Sequence, residues 1–146
     1  MKKIDSIQAE IGAFLIKMIP VPWRKIGLYA ECENGSVSIW FGFREDKTDV
    51  ICTQEFFWSR YNEYPIKKRE LDDLFDLVED LHDAYIEKFG ESKKWYTMYY
   101  TVESNYNFTI NFGYEIPTGN YVQIHHNVFE KFFSAKYEYI EGKYPY

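Results

Sequence analysis

Three histidines, two cysteines and a helix-spaced run of carboxylates are the residues of this 146-residue chain that could carry chemistry. His125 and His126 are adjacent, and neighbours at i and i+1 do not share a helix face, so they make a poor chelating pair. No HExxH or CxxC supplies further ligands, and neither a metal nor another cofactor is expected. His82 falls in an apolar stripe, where a half-buried histidine with one hydrogen-bond partner is the ordinary outcome. Cys32 and Cys52 fall on expected strands, with no helix N-terminus or basic neighbour to lower a thiol pKa. Both read as small buried hydrophobes. No GxGxxG, P-loop or GxSxG motif is present. An enzyme is not expected, although a small one using His125 or a cysteine stays open as a third reading.

The carboxylates form the one constellation that stands out. At about 100° per residue, Asp72, Asp73, Asp76, Glu79, Asp80, Asp83 and Glu87 occupy one arc of about 120°, opposite an apolar stripe. Arg69 is the single basic residue projecting toward it. Asp72 and Asp76, Asp76 and Asp80, Glu79 and Asp83, and Asp83 and Glu87 are all i, i+4 pairs, a spacing at which like charges repel. Two readings follow: a solvated outer face, or a surface kept acidic for a basic partner.

Overall charge narrows the partner. Seventeen basic and twenty-three acidic residues give −6, and the pI is near 5.1. Nucleic-acid binders carry a basic footprint, because Lys and Arg supply the affinity for phosphate. No direct nucleic-acid binding is expected. The charge is uneven: residues 1–30 carry +3 and every later segment is negative. The apolar stretch Ile11 to Ile16 is too short to span a membrane, and Asp5, Gln8 and Glu10 break any signal-peptide pattern. Cytoplasmic residence is expected.

The elements that must position these residues follow from periodicity. Ile4, Ile7, Ile11, Phe14, Leu15 and Met18 predict a helix over 3–19, ended by Pro20 and Pro22. Strands are expected at Lys25–Cys32 and Ser36–Phe43, joined by Asn34-Gly35, a hairpin signal. A poorly alternating third strand follows at Asp49–Phe57, then an irregular stretch over 58–66. Leu71, Leu74, Phe75, Val78, Leu81, Tyr85 and Phe89 mark a long helix over 67–89, with Gly90 as its C-cap. A second hairpin joins Trp95–Glu103 to Tyr106–Tyr114 through Ser104-Asn105. A last helix is expected over 121–137 and an extended tail over 142–146.

The order α-β-β-β-α-β-β-α describes one α+β domain over 1–146: a two-layer fold, with an antiparallel sheet of about five strands and helices packed on one face. The opposite face would carry Tyr29, Trp40, Trp95 and Tyr99. It is either an open partner surface, since aromatic rings are enriched at interface hot spots, or a face covered by the last helix or the tail. Aromatic residues are 21% of the chain, enough for both a core and a partner surface.

With these segments placed, the chain resembles the YezG-type immunity (antitoxin) family of bacteria. The resemblance rests on Met18-Ile19-Pro20, Trp23, the strand Lys25-Ile26-Gly27-Leu28-Tyr29-Ala30-Glu31 and the hairpin end Trp40-Phe41-Gly42-Phe43. It continues through the acidic Leu/Phe helix Leu71–Phe89, Trp95 and the strand Phe108–Tyr114 with Glu115, in the same order over 4–116. Family members close on a Trp- and Leu-Gly-containing segment, whereas residues 121–146 contain no Trp and no Leu. The resemblance implies a stoichiometric inhibitor, made by toxin-producing bacteria, that neutralises a secreted or contact-delivered toxin, often a nuclease.

A nuclease cleft must bind phosphate and tends to be basic, so an acidic surface can steer toward it and fill it. The expected toxin-binding residues are the seven carboxylates of the 67–89 helix, with the loop acids Glu45, Asp46 and Asp49. Trp40 and Tyr29 are the expected aromatic anchors. The expected partner is a toxin's C-terminal domain, basic in character and of nuclease type. The alternative is a general protein-interaction or adaptor domain using the sheet face, with no toxin partner.

Overall fold

The computed structural model describes residues 3–48, 50–54, 67–136 and 140–141. Helix α1 spans Ile4–Met18 and buries Ile7, Ile11, Leu15 and Met18, the face that the i, i+3, i+4 spacing selects. It ends where Ile19 turns extended ahead of Pro20. Strands β1 (Trp23–Glu33) and β2 (Ser36–Glu45) form a hairpin in which Glu33 faces Ser36. Its turn is Asn34-Gly35, with φ of 51° and 79°, the left-handed pair that a type I′ turn requires. Strand β3 (Ile51–Thr53) pairs with β2. It falls within the stretch expected over 49–57, of which Asp49 and the residues after 54 lie outside the described ones.

Helix α2 spans Lys67–Phe89 and is closed by Gly90, whose N–H donates to the Ile86 carbonyl at 2.8 Å. Strands β4 (Thr97–Glu103) and β5 (Phe108–Gly113) make the second hairpin. Its turn is longer than Ser104-Asn105 alone, because Tyr106 takes up the left-handed position at φ 70°. Helix α3 spans Tyr121–Phe133, with Asn120 capping its start and Ser134 in the left-handed conformation closing it short of residue 137. Strand β6 (Ile140–Glu141) adds to β3 in parallel.

The sheet runs β5-β4-β1-β2-β3-β6. Among the described residues, five antiparallel strands with three α-helices make the expected α+β fold in the expected order, and β6 is a short sixth strand. The helices do not share one face. Even-numbered residues of β1 and β4 (Ile26, Leu28, Ala30, Met98, Tyr100, Val102), together with Ile39, Phe41 and Phe43 of β2, pack under α1 and α2. The Tyr100 hydroxyl fixes α1 by donating to the Gln8 carbonyl at 2.6 Å. The other face carries Tyr29, Trp40, Tyr99 and Ile51, and α3 lies on it through Val128, Phe129, Phe132 and Phe133.

Two glycines explain the third layer. Gly27 and Gly42 are cross-strand partners on that face. A Cβ on Gly27 would come within 2.5 Å of the Phe132 ring, and one on Gly42 within 3.1 Å of Phe129. The glycine pair leaves a flat bed into which the phenylalanines of α3 settle. A last helix is expected from the sequence, but its apolar spacing is mixed, and the bed becomes visible only once the strand register is known.

Candidate protein-interaction surface

Helix α2 packs against α1 and the sheet through Leu74, Val78, Leu81 and Ala84, all buried. That fixes its roll. Asp72, Asp73, Asp76, Glu79, Asp80, Asp83 and Glu87 consequently all emerge into solvent. Among the described residues none of the seven has an ion-pair partner. The i, i+4 repulsion implicit in the spacing is therefore left uncompensated by neighbours.

The carboxylates divide between two flanks. Asp73, Asp76 and Asp80 border a groove of about 500 Å³ between α2 and α1, floored by Ala13, Phe14 and Leu77 and closed by Glu10 and Lys17. Glu79 and Asp83 lie toward the other edge of the arc, and their charges add to the rise in the Cys32 thiol pKa. Burial is the main cause of that rise, and the two carboxylates help push it up to about 12. Glu70, one turn before Asp73, has its pKa raised by burial, opposed by Lys17. The arrangement is an apolar-floored groove with an acidic rim, suited to a cationic and partly apolar surface.

The remaining expected contact residues are placed differently. Tyr29 is fully buried beneath α3, its hydroxyl donating to Glu31 Oε2 at 2.6 Å. Burial and that carboxylate raise its pKa. Trp40 is half-buried, with the His125 ring 4.1 Å and the Tyr121 ring 5.7 Å from its own. The sheet face expected to be either open or covered is covered, so Tyr29 cannot act as a surface anchor while α3 is docked. Glu45 is also buried and accepts a hydrogen bond from the Thr48 hydroxyl at 2.7 Å. Asp46 is exposed and pairs with Arg24 at 3.4 Å. Asp49 lies outside the described residues.

The candidate chemical residues have structural surroundings. His82 Nε2 lies 2.9 Å from the Trp95 carbonyl. Cys32 and Cys52 are both buried and unbridged. The burial of His125 is the feature that the sequence did not signal. Its Nε2 is buried without a hydrogen-bond partner, 4.0 Å from Glu31 Oε2, and its ring is enclosed by Trp40, Tyr121 and Tyr29. Burial, with a smaller contribution from His126, lowers its pKa to about 4. Among the described residues no group of three His, Cys, Asp or Glu side chains could hold a metal ion. No described helix is long and apolar enough to cross a membrane.

Two comparisons with known proteins give the chain's relatives. The family described as "Immunity protein YezG-like" matches residues 4–144, including the closing segment without Trp or Leu. "Immunity protein YezG" of Bacillus subtilis (strain 168) is 29% identical over 106 residues, covering 72% of this chain and 69% of that protein.

Proposed function

The chain belongs to the YezG-like immunity protein family, and from that premise we propose that it neutralises a cognate bacterial toxin by sitting on it through the acidic face of α2. The observation that carries this reading is the set of seven exposed carboxylates with no described ion-pair partner. A helix kept acidic in this way repels itself and attracts a basic surface. The partner that fits is the basic C-terminal domain of a toxin, of nuclease type, whose phosphate-binding cleft must be cationic. Complementary charge speeds encounter and rejects wrong partners. The groove between α1 and α2 adds apolar contact, through Phe14 and Leu77, to the acidic rim. Inhibition is stoichiometric occupation rather than turnover. It takes place in the cytoplasm of the toxin-producing cell and protects that cell during bacterial competition.

The test is binding to the C-terminal domain of the toxin encoded beside this chain, followed by interferometry across a salt series. Reversing Asp76→Lys, Asp80→Lys and Asp83→Lys together should weaken binding by about tenfold to a hundredfold at low salt and flatten its salt dependence. Because all three residues are exposed, the fold should be unaffected. Unchanged affinity would move the contact off α2. Failure of the unaltered protein to bind the toxin, or to protect cells expressing it, would remove the function itself.

A further inference from the structure

Among the described residues, one edge of the sheet lacks the usual defences. Strand β5 is the outermost strand on its side, and Tyr106 to Tyr114 contains no charged residue and no proline. Natural edge strands are commonly guarded by Lys, Pro or a bulge, because their free backbone groups would otherwise pair with another chain. Here the Glu103 N–H donates to the Asn107 carbonyl at 2.9 Å, and β5 pairs with β4 in a regular antiparallel register. Ladder bonds alternate along an antiparallel strand. Asn107, Thr109 and Asn111 therefore face β4, while Phe108, Ile110 and Phe112 direct their backbone N–H and C=O groups outward.

The side chains on the outward-bonding positions read Tyr106, Phe108, Ile110, Phe112, Tyr114. This series is the same in both directions about Ile110. Tyr106 is 66% exposed, Phe108 40% and Tyr114 55%, while Ile110 and Phe112 are half-buried against the chain's own core and offer only their outer edges. An isologous two-fold contact requires a self-complementary patch. A two-fold axis at Ile110 provides it: Ile110 meets its own copy, Phe108 meets the copy's Phe112, and Tyr106 falls opposite the copy's Tyr114. The uncharged edge lets two copies of net charge −6 meet without placing like charges in contact.

We propose that β5 pairs antiparallel with β5 of a second copy about a two-fold axis at Ile110, joining two six-stranded sheets into one. A single strand-edge pairing with its flanking rings is a small contact, and a dissociation constant of order micromolar is expected for it. The proposal is independent of the toxin assignment, since its readout is the oligomeric state of the protein alone.

Sedimentation equilibrium tests it on the full chain. The unaltered protein should move from 17.6 kDa toward twice that mass as its concentration rises through the micromolar range. Thr109 and Asn111 are exposed and would face each other across the axis. The double variants Thr109→Lys/Asn111→Lys and Thr109→Glu/Asn111→Glu each place like charges opposite one another. Each alone should dimerise about tenfold more weakly or not at all. Mixing the two should restore a mixed dimer, which no folding defect could mimic. A monomer throughout the range, equal dimerisation of the variants, or no rescue on mixing would each overturn the proposal. So would a monomer whose edge variants lose toxin binding, which would assign the edge to a toxin strand instead.

Discussion

The face of the sheet under α1 and α2 is filled by aliphatic and aromatic side chains reaching from α1, β1, β2, β3, α2 and β4; its Tyr100 hydroxyl is bonded to Gln8, and among the described residues its one buried polar side-chain atom without a partner is Trp95 Nε1. The face under α3 is smaller. It relies on Val128, Phe129, Phe132 and Phe133 over a glycine bed, and it encloses His125 and leans on Glu31. Apolar burial stabilises in proportion to area, while a buried imidazole without a partner costs free energy. The first face therefore holds the fold together and positions the acidic surface of α2. The second is a lighter addition that covers Tyr29 and Trp40.

The largest effect should come from the first face. Leu74 is fully buried beneath α2, and Leu74→Ala should cost about 3 kcal/mol through lost burial and the cavity left behind. Urea unfolding followed by far-ultraviolet circular dichroism and by tryptophan fluorescence should shift together. If only probes near α3 moved, the face under α1 and α2 would not be what holds the fold together.

Acid should act on the second face. His125 has its pKa lowered from 6.5 to about 4 in the folded chain. Below pH 6.5 the unfolded chain takes up a proton that the folded one refuses until about pH 4. Stability is therefore full above pH 6.5 and falls as pH drops through this window, by about 2 kcal/mol at pH 5. The Glu31 carboxylate, 4.0 Å away, is already engaged by the Tyr29 hydroxyl. Replacing His125→Phe keeps a ring among Trp40 and Tyr121 and should remove this share of the pH dependence, read as the difference between the two proteins' denaturation curves at pH 7.5 and pH 5. Identical slopes would mean that the imidazole is solvated.

How far these differences could be read beforehand depends on the range of the interaction. Helices α1 and α2 and the Asn34-Gly35 hairpin are local patterns, written in the spacing of Ile, Leu and Phe and in two residues that tolerate positive φ. The exposure of the α2 carboxylates follows from the same wheel. The burial of Tyr29 is different, because it depends on Gly27 facing Gly42 and on a helix about 90 residues later filling the space. A glycine in a strand signals only a close approach, not what approaches. Glu45 reads as a loop acid in the sequence and is not one, for a related reason: β2 runs on through it, and Thr48 folds back to bond its carboxylate.

The smallest test concerns how the two kinds of helix are held. At α1 the residue before the first turn is Lys3, which makes no side-chain cap, yet the helix is anchored by its buried face. At α3 the Asn120 side chain accepts from the Gln123 N–H at 3.1 Å. A cap of this kind contributes about 1 kcal/mol. Where packing is light, that amount is a large share of what keeps the helix in place. Asn120→Ala should therefore speed amide exchange throughout 121–133 about fivefold while leaving α1 and α2 unchanged. The converse experiment sharpens the contrast. Placing Asp at Lys3 supplies the missing cap at α1 and should leave exchange in its buried turns unaltered, because those amides open only with the whole domain and a cap adds little to so large a barrier. If instead both helices responded alike, capping rather than packing would govern them, and α3 would be as much a part of the central fold as α1.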